Sequence, residues 1–396
     1  MSGQRSWDVL VIGAGPAGST AAALLAQRGL RVLVLEKEHF PRFHIGESLL
    51  PAALSVLDRL GVEPRADTFV RKRGAEFLCE RTGRRGSFGF GEALPGIPDH
   101  AWHVDRARFD TQLRDIARAA GAEVRHGEKV LDVDLQAECV GVRTASGRVT
   151  GRFLVDASGQ DRLLAAHAGS AEPYREFGSA AVFTHFAGLR QDALDEIGPG
   201  NDIRIVLRPE GWGWMIPLPD RRLSVGLVGQ GKVSAEQLDA GLLAGPLALR
   251  WTAGAERLDT RVARNFSYRN TASFGPRFAA VGDAACFLDP VFSSGVTLAL
   301  RGAESLADRL GPALQAGEEA APGLLDEHAA GMDRAYRTFG ALIGRFYNSR
   351  FAESVFLGDA AGMPMRSGVM SVLAGDVWRG DNAFQELLLA ARRPGA

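Results

Sequence analysis

Residues 7–40 constrain the fold of this 396-residue chain more than any other stretch. A β-branched apolar run at 9–12 leads into Gly13-Ala-Gly15-Pro-Ala-Gly18, which precedes an alanine- and leucine-rich run and a second apolar run ending at Glu36. Short apolar runs are typical of buried parallel strands, and the run between them favours a helix. The order of strand, glycine turn, helix, strand and acid predicts the β-α-β unit of a Rossmann-like α/β fold.

Each glycine of this turn has a physical reason. Gly13 allows the sharp turn, Gly15 lets a pyrophosphate approach the backbone, and Gly18 lets the helix pack closely on the strand. The free N–H groups at the helix N-terminus, around Ala17, favour the phosphates. Glu36 lies where an acid accepts a hydrogen bond from a ribose hydroxyl. The alternative, a β-α-β unit with incidental glycines, is disfavoured by this full context.

Composition limits the class of protein. The chain has 46% hydrophobic and 23% charged residues, as in soluble globular proteins, and its net charge of −1 gives no electrostatic case for nucleic acid or an anionic membrane. Three widely spaced cysteines indicate a reducing compartment, and no Cys/His spacing resembles a metal site. We see no signal peptide and no apolar run of ~18 residues, so we expect a cytoplasmic protein with no membrane segment.

The order of strands and helices predicts two interleaved regions and a tail. Cofactor-binding patterns fall within 1–170 and 266–310, and the strand-rich stretch 171–265 is expected to form an antiparallel substrate domain that covers the cofactor. Residues 311–396 are predicted to form a helical C-terminal segment. No linker separates these regions, so we expect one compact unit.

Local patterns predict elements near the motifs. Glu47 and Ser48 precede a periodic apolar run and are expected to begin a helix. Residues 72–78 alternate, which predicts one strand. Ser234 and Gln237 form a capping box for a helix reaching Leu243. Helical patterns at 105–120 and 295–310 predict two longer helices.

Two further segments place an acid beside small residues after a buried strand, Asp156-Ala-Ser-Gly159 and Gly282-Asp283. With the first glycine turn they form a three-part set that resembles the FAD-binding class that includes para-hydroxybenzoate hydroxylase. The resemblance implies that Asp283 contacts the ribityl chain and that Arg106 faces the flavin side of the site. For Asp283 alone, a strand-end cap is the alternative.

A narrower resemblance covers about residues 7–310. Gly211-Trp212-Gly-Trp214-Met-Ile-Pro217 matches the W-x-W-x-I-P signature of flavin-dependent halogenases, and 40–51, 72–75 and 289–296 look like further halogenase segments. The resemblance implies that reduced FAD and O2 convert chloride or bromide into hypohalous acid, which reaches Lys72. Because the sequence has one dinucleotide-binding turn, we expect a separate flavin reductase to supply the reduced FAD.

The resemblance also assigns candidate sites. Lys72, Trp212 and Trp214 are the catalytic candidates, and Ser294 and Gly295, at a helix start, are the halide-binding candidates. No metal ligands are expected. The cofactor-binding candidates are Gly13, Gly15, Ala17, Gly18, Glu36, Lys37, Arg42, Ile45, Gly46, Glu47, Ser48, Arg106, Asp283, Gly295 and Val296.

The catalytic candidates have plain alternatives. Composition alone favours a surface position for Lys72, between two arginines. The halogenase motif instead implies a lysine in an apolar pocket, with a lowered pKa, that holds the oxidant by a hydrogen bond or as a haloamine. Trp212 and Trp214 share one face of a strand, as a core pair or as a wall between flavin and substrate.

One departure from the family pattern concerns the substrate. Indole halogenases carry a glutamate where this chain has Phe292, which favours a phenol or a pyrrole, either free or tethered to a carrier protein. The rivals are a flavin hydroxylase or geranylgeranyl-reductase-like enzyme of the same fold, and a catalytically idle flavin-binding protein used for partner assembly. The scattered histidines, His103, His126, His167 and His185, are assigned no role.

Overall fold

The strands supply most of the frame that positions the site. The computed structural model describes residues 7–136, 138–178, 180–208, 211–264, 266–358 and 365–390. The strands are β1 Trp7–Ile12, β2 Val32–Glu36, β3 Phe69–Lys72, β4 Gly74–Cys79, β5 Arg84–Gly89, β6 Ala101–Val104, β7 Glu123–His126, β8 Asp132–Leu135, β9 Val140–Thr144, β10 Gly147–Asp156, β11 Ala171–Pro173, β12 Ala180–Ala187, β13 Ile203–Arg208, β14 Gly211–Leu218, β15 Arg222–Gly229, β16 Glu256–Arg257, β17 Arg261–Arg264, β18 Tyr268–Asn270, β19 Phe274–Gly275, β20 Phe278–Ala280 and β21 Cys286–Phe287.

The helices pack around these strands. They are α1 Pro16–Ala26, α2 Leu54–Arg59, α3 Arg106–Ala119, α4 Leu163–Ala168, α5 Gln191–Ile197, α6 Ala235–Leu238, α7 Pro246–Trp251, α8 Ser294–Ala316, α9 Asp326–Phe346, α10 Ser349–Phe356, α11 Arg366–Leu373 and α12 Ala383–Ala390. Among the described helices, none has the length and apolar character needed to cross a membrane.

The first sheet carries the glycine turn. Its order is β19-β20-β10-β1-β2-β7, parallel from β20 to β7. β9 pairs antiparallel with β10, and β8 pairs antiparallel with β9. Val9 and Val11 of β1 pack in the cluster with α1, α3 and α8, whereas Leu10 and Ile12 pack on the opposite face against β8 and β9. Both faces are covered, which explains the continuous apolar run of this strand.

The second sheet forms the cover. Its order is β16-β12-β15-β14-β13-β4-β5, with β17 also on β12, and every pairing is antiparallel except that of β13 with β4. One face packs against α9, α10 and α11 and the other against α5 and α7. Strands β4 and β5 come from the range predicted as 1–170, so this sheet draws on more than 171–265; the domain boundaries stay a prediction.

The predicted fold class is confirmed. The parallel α/β sheet, the antiparallel cover and a helical C-terminal segment are all present. The capping box is also confirmed, since Ser234 N donates to Gln237 Oε1 at 2.9 Å. Helix α6 then changes into a π-helical turn at Asp239–Leu243.

The predicted helix start at Glu47 and Ser48 is wrong. Ser48 lies in an isolated β-bridge, and α2 begins at Leu54. Glu47 Oε1 lies 2.6 Å from His185 Nε2, and Ser48 Oγ accepts a hydrogen bond from Lys72 Nζ at 2.9 Å. Both side chains therefore bond across the fold and are not available to cap a helix.

The predicted single strand at 72–78 is wrong as well. β3 ends at Lys72, β4 begins at Gly74, and the two strands lie in different sheets. Between them, Arg73 N donates to Gly200 O at 2.9 Å. A Cβ at Gly74 would lie 2.2 Å from Phe88 O, so the chain needs glycine where it enters the second sheet.

A glycine opposite Trp214 offers a test of the cover sheet. A Cβ at Gly226 would lie 2.3 Å from the indole, so we expect Gly226→Ala to lower the free energy of unfolding by about 1–3 kcal/mol through overpacking. Gly231→Ala is the matched control, because nothing lies within 4 Å of its Cβ position. Urea unfolding of both variants checks this, and equal midpoints would contradict it.

Candidate active site

The conformation of the glycine turn is fixed by close backbone packing and by a hydrogen bond to Glu36. Gly13 has φ +94°, and a Cβ at Gly18 would lie 2.0 Å from Gly13 O. Ala14 N donates to Glu36 Oε2 at 2.7 Å, and the carboxylate is buried at the end of β2. The acid is thus held beside the turn, as its spacing predicts for a group that meets a ribose.

Arg42 lies over the same turn. Its Nη2 is 3.3 Å from the position that a Cβ of Gly15 would take. Glu38 and Asp110 lie at ion-pair distances of 3.2 and 3.4 Å, yet Arg42 Nε and Nη1 are buried with no hydrogen-bond partner among the described residues. Buried donors beside a helix N-terminus suit a pyrophosphate.

Arg106 joins the loop at 45–46 to α3. Its guanidinium binds Asp110 through two hydrogen bonds of 2.8 and 3.0 Å and donates to Ile45 O at 2.5 Å and Gly46 O at 3.2 Å. Gly46 has φ +103°, and its Cβ position would lie 2.8 Å from Arg106 Nη1 and 3.7 Å from Val296. Arg106, Ile45, Gly46 and Val296 therefore meet, and their role at the cofactor stays a prediction.

Asp283 follows β20 on a positive-φ glycine. Gly282 has φ +61°, and its Cβ position lies 3.0 Å from Ala17 Cβ of α1. Burial raises the pKa of Asp283 to about 6, and the charge of Arg106 opposes this rise. The third acid of the FAD pattern thus sits beside the first glycine turn and within the field of Arg106.

Lys72 is buried, which excludes the surface position that composition favours. Its side chain is 1% exposed, and Nζ donates to Ser48 Oγ at 2.9 Å and to Leu49 O at 3.2 Å. The ring of Phe90 lies 5.2 Å from Nζ. Burial lowers the pKa of Lys72 to about 7, against the smaller opposing effect of Asp202. Near neutral pH, the group can be either an ammonium donor or a free amine.

Trp212 and Trp214 form a buried pair in the cover sheet. Their ring centroids are 5.8 Å apart, and Phe183 stands 5.9 Å from the second ring. Trp214 Nε1 donates to Ser224 Oγ at 3.0 Å. Because both indole N–H groups have partners within the fold, the two rings hold fixed orientations.

The partner of Trp212 is Asp289, a fully buried carboxylate. It accepts hydrogen bonds from Trp212 Nε1 at 3.2 Å, Tyr347 Oη at 2.6 Å, Gly178 N at 3.0 Å and Val291 N at 3.0 Å. Burial raises its pKa to about 6, and these hydrogen bonds oppose the rise. Asp289 opens the halogenase-like segment 289–296, but the sequence pattern alone assigns it no role; the only local signal is its place just before Pro290.

Phe292 lies in an aromatic cluster. Its ring centroid is 6.5 Å from that of Phe77, 5.6 Å from Phe346 and 5.7 Å from Phe356. The position where indole halogenases carry a glutamate is thus enclosed by apolar rings. The next residue, Ser293, has φ +57° and leads directly into α8.

The two halide candidates differ in exposure. Ser294 is buried and Gly295 is exposed, and both lie in the first turn of the 23-residue helix α8, whose N–H groups have no partners within the helix. Lys37 is set apart from the other candidates, because it is half-exposed and pairs with Asp161 at 2.6 Å. The described residues contain no group of three or more His, Cys, Asp or Glu side chains placed to hold a metal.

Glu47 and His185 were not expected to meet. Their short contact is buried, and Glu47 Oε2 has no hydrogen-bond partner among the described residues. Phe43 packs on His185 and Phe183 at 5.7 and 6.0 Å, with the guanidinium of Arg261 at 3.8 Å from its ring. These contacts hold the loop at 42–48, which contains several FAD-binding candidates, against the cover sheet. Local sequence patterns do not predict such long-range contacts.

A family model described as tryptophan halogenase matches residues 8–99 and 94–385. The chain belongs to the tryptophan halogenase family. It is 34% identical to a tryptophan 2-halogenase of Chondromyces crocatus over 75% of the chain and spans 60% of that relative. It is 30% identical to a 1H-pyrrole-2-carbonyl-(peptidyl-carrier protein) chlorinase of Pseudomonas fluorescens, over 95% of the chain and 90% of the relative.

Solved structures agree with this family. A flavoprotein/dehydrogenase from Cytophaga hutchinsonii superposes with a TM-score of 0.85 at 30% identity, covering 96% of each chain. A flavin-dependent brominase superposes with a TM-score of 0.83 at 26% identity, covering 97% of each chain. The predicted flavin-dependent halogenase family, the enzyme class and the FAD cofactor are confirmed.

The burial of Lys72 predicts a pH dependence of stability. Its pKa is about 7 in the folded chain and ~10.4 in the unfolded chain, so between these values the unfolded chain binds more protons and stability rises with pH. We expect the free energy of unfolding to rise from pH 7 to pH 10 more in wild type than in Lys72→Met. Lys129→Met, at an exposed lysine, should follow wild type. Parallel curves for wild type and Lys72→Met in urea unfolding would show that the lysine keeps an ordinary pKa.

Proposed function

We propose that this family member halogenates an electron-rich aromatic ring, a phenol or a pyrrole, with hypohalous acid made from reduced FAD, O2 and a halide. The observation that carries the proposal is the burial of Lys72, whose pKa of about 7 suits a group that holds and directs an electrophilic halogen. An exposed lysine would stay protonated and hydrated, and any oxidant bound to it would meet water.

The residues at the glycine turn fit FAD. Gly15 leaves the backbone open, so a pyrophosphate could approach it, and the buried donors of Arg42 would bind that group. Glu36 is held beside the turn, where it would accept a hydrogen bond from a ribose hydroxyl. In the proposed arrangement Arg106, Asp283 and the loop at 45–48 face the flavin. When bound and reduced, FAD supplies the electrons that activate O2 toward the halide. The first turn of α8 would hold the halide through its backbone N–H groups.

The tryptophan pair would separate the two halves of the reaction. Trp212 and Trp214 are buried and fixed by Asp289 and Ser224. Two indoles held in this way would obstruct direct contact between flavin and substrate, so the oxidant must travel to Lys72. The pair therefore favours halogenation over direct hydroxylation by the flavin.

The substrate class rests on Phe292. The apolar rings around it offer no carboxylate to take up a ring proton or to stabilise a cationic intermediate. A phenol or a pyrrole supplies that electron density itself. Two relatives are named as a chlorinase and a brominase of pyrrole-2-carbonyl groups on a peptidyl-carrier protein, which supports a carrier-tethered pyrrole as one form of the substrate.

The main rivals are a hydroxylase and a reductase-like flavoenzyme of the same fold. The similarity to a flavoprotein/dehydrogenase supports this class of rival enzyme. Halide dependence separates them: mass spectrometry of products with chloride and with bromide, across phenols and carrier-bound pyrroles, should show halogenated rings. Hydroxylated or reduced products that form without halide would refute the proposal.

Lys72 is expected to be needed for halogen transfer and not for oxidant formation. Lys72→Met and Lys72→Ala should still consume O2 and reduced flavin, while halogenated product falls ~10²–10³-fold, as when one positioned donor is lost. The exposed Lys129→Met is the control and should keep full activity. Near wild-type halogenation by both variants would remove the role of Lys72, and loss of O2 consumption would place the lysine in the flavin site.

A separate flavin reductase is the proposed partner. The sequence has a single strand–glycine turn–helix of the dinucleotide type, and FAD would occupy it. We expect NADH or NADPH alone to leave the bound flavin oxidised over many turnover times, and an added reductase to restore halogenation. Rapid bleaching by either nucleotide in a stopped-flow instrument would show that the enzyme reduces its own flavin.

A further inference from the structure

Three buried side chains share one face of the strands around β6. In the antiparallel pair of β3 with β6, Lys72 lies opposite Ala101 and Val70 lies opposite His103. Ser48 bridges His103 from the other side. Directly opposed residues of antiparallel strands point to the same face, and so do alternate residues of one strand. Lys72, His103 and Ser48 therefore project together.

Lys72 crosses β6 to reach Ser48. Its Nζ donates to Ser48 Oγ, on the far side of β6, so the lysine side chain spans this strand on the face to which Ala101 and His103 belong. The electrostatics agree with this path. The pKa of His103 is lowered well below its usual value, first by burial and next by the charge of Lys72.

The ring of His103 has a defined tautomer and an unused acceptor. His103 is fully buried, and its Nε2 lies 2.8 Å from Asn201 O. A carbonyl can only accept, so Nε2 carries the proton and Nδ1 keeps a lone pair. Nδ1 is buried and has no hydrogen-bond partner among the described residues. A buried acceptor left unpaired is costly, so a small polar group that donates to Nδ1 would be favoured at this position.

We propose that His103 Nδ1 and Lys72 Nζ together bind the hypohalous acid. This inference rests on the proposed function. The oxidant has one O–H donor and an oxygen that accepts. The face that the two side chains share offers an unpaired acceptor, His103 Nδ1, and the third N–H of Lys72 Nζ, whose other two bond Ser48 and Leu49. The O–H donates to His103 while the oxygen accepts from Lys72, so the halogen end is left free to face the aromatic ring.

With Lys72 and His103 in these roles, the bonds and protons of the halogen transfer balance. The O–X bond breaks, and the oxygen keeps the electron pair and takes a proton from the Lys72 ammonium to leave as water. The ring π pair forms the C–X bond, and the proton that the ring then loses returns to Lys72. His103 stays neutral throughout and acts as a hydrogen-bond acceptor that orients the oxidant.

Two conservative variants separate oxidant binding from loop anchoring. In His103→Asn, the amide oxygen can occupy the position of Nδ1, so the acceptor is kept and the bond to Asn201 is lost. In His103→Gln, the amide nitrogen can occupy the position of Nε2, so the bond to Asn201 is kept and the acceptor is lost. His103→Phe removes both, and the exposed His167→Phe is the control.

The assay measures halogenated product together with hypohalous acid that escapes to an excess of a 1,3-diketone scavenger. For His103→Phe we expect product to fall on the order of tenfold, the size of one hydrogen bond, with escaped oxidant rising to match and O2 consumption unchanged. His103→Asn should recover product above His103→Gln.

Recovery by Gln and not by Asn would show that His103 anchors the Asn201 loop and would overturn the proposal. Near wild-type amounts of product from His103→Phe would also overturn it. So would a loss of bound FAD together with a loss of the cooperative unfolding transition in all three variants, since His103 would then be a structural residue. Failure of the proposed function is distinct, because wild type itself would then form neither halogenated product nor trapped hypohalous acid.

Discussion

The carboxylate of Asp289 joins four separate parts of the chain. It accepts hydrogen bonds from Trp212 of the cover sheet, Gly178 of the segment before β12, Val291 of the turn before α8 and Tyr347, the residue that follows α9. A fully buried acid tolerates its charge only when its oxygens are bonded in this way. The orientation of the indole and the start of α8 thus depend on the same group.

Burial shifts the pKa values of three titratable groups of the site toward neutral pH. Lys72 has a pKa of about 7, and Asp283 and Asp289 have pKa values of about 6, with burial as the main cause in each. Each lies where a different part of the reaction is proposed to occur. The exclusion of water that shifts these groups is also what an electrophilic oxidant needs, since water would consume it.

The parts of the site that local patterns describe could be predicted from the sequence. The turn at Gly13, the acid at Glu36 and the strand that carries Trp212 follow from spacing and hydrophobic periodicity, and the structure has them in place. The family motif, and not composition, placed Lys72 among the candidates.

The contacts between distant segments could not be predicted in the same way. The pairing of Glu47 with His185 joins residues 138 positions apart, and that of Lys72 with Ser48 joins residues 24 apart. Glu47 and Ser48 have the composition of a helix start, and only the approach of the cover sheet and of β3 turns them to other partners. For the same reason no sequence pattern marks His103, since its proposed role depends on strands that pair only in the folded chain.

The change of sheet between Lys72 and Gly74 separates the lysine from the strands of the cover sheet. β3 belongs to the ribbon with β6, whereas β4 enters the cover sheet with only Arg73 between them. Strands β15 to β17 lie on the far side of β14 from β4, and their pairings among the described residues all fall within the cover sheet. For an engineer, changes in the edge strands β16 and β17 leave the backbone pairing of the β3–β6 ribbon intact, whereas β15 must keep Ser224 and Gly226 against Trp214.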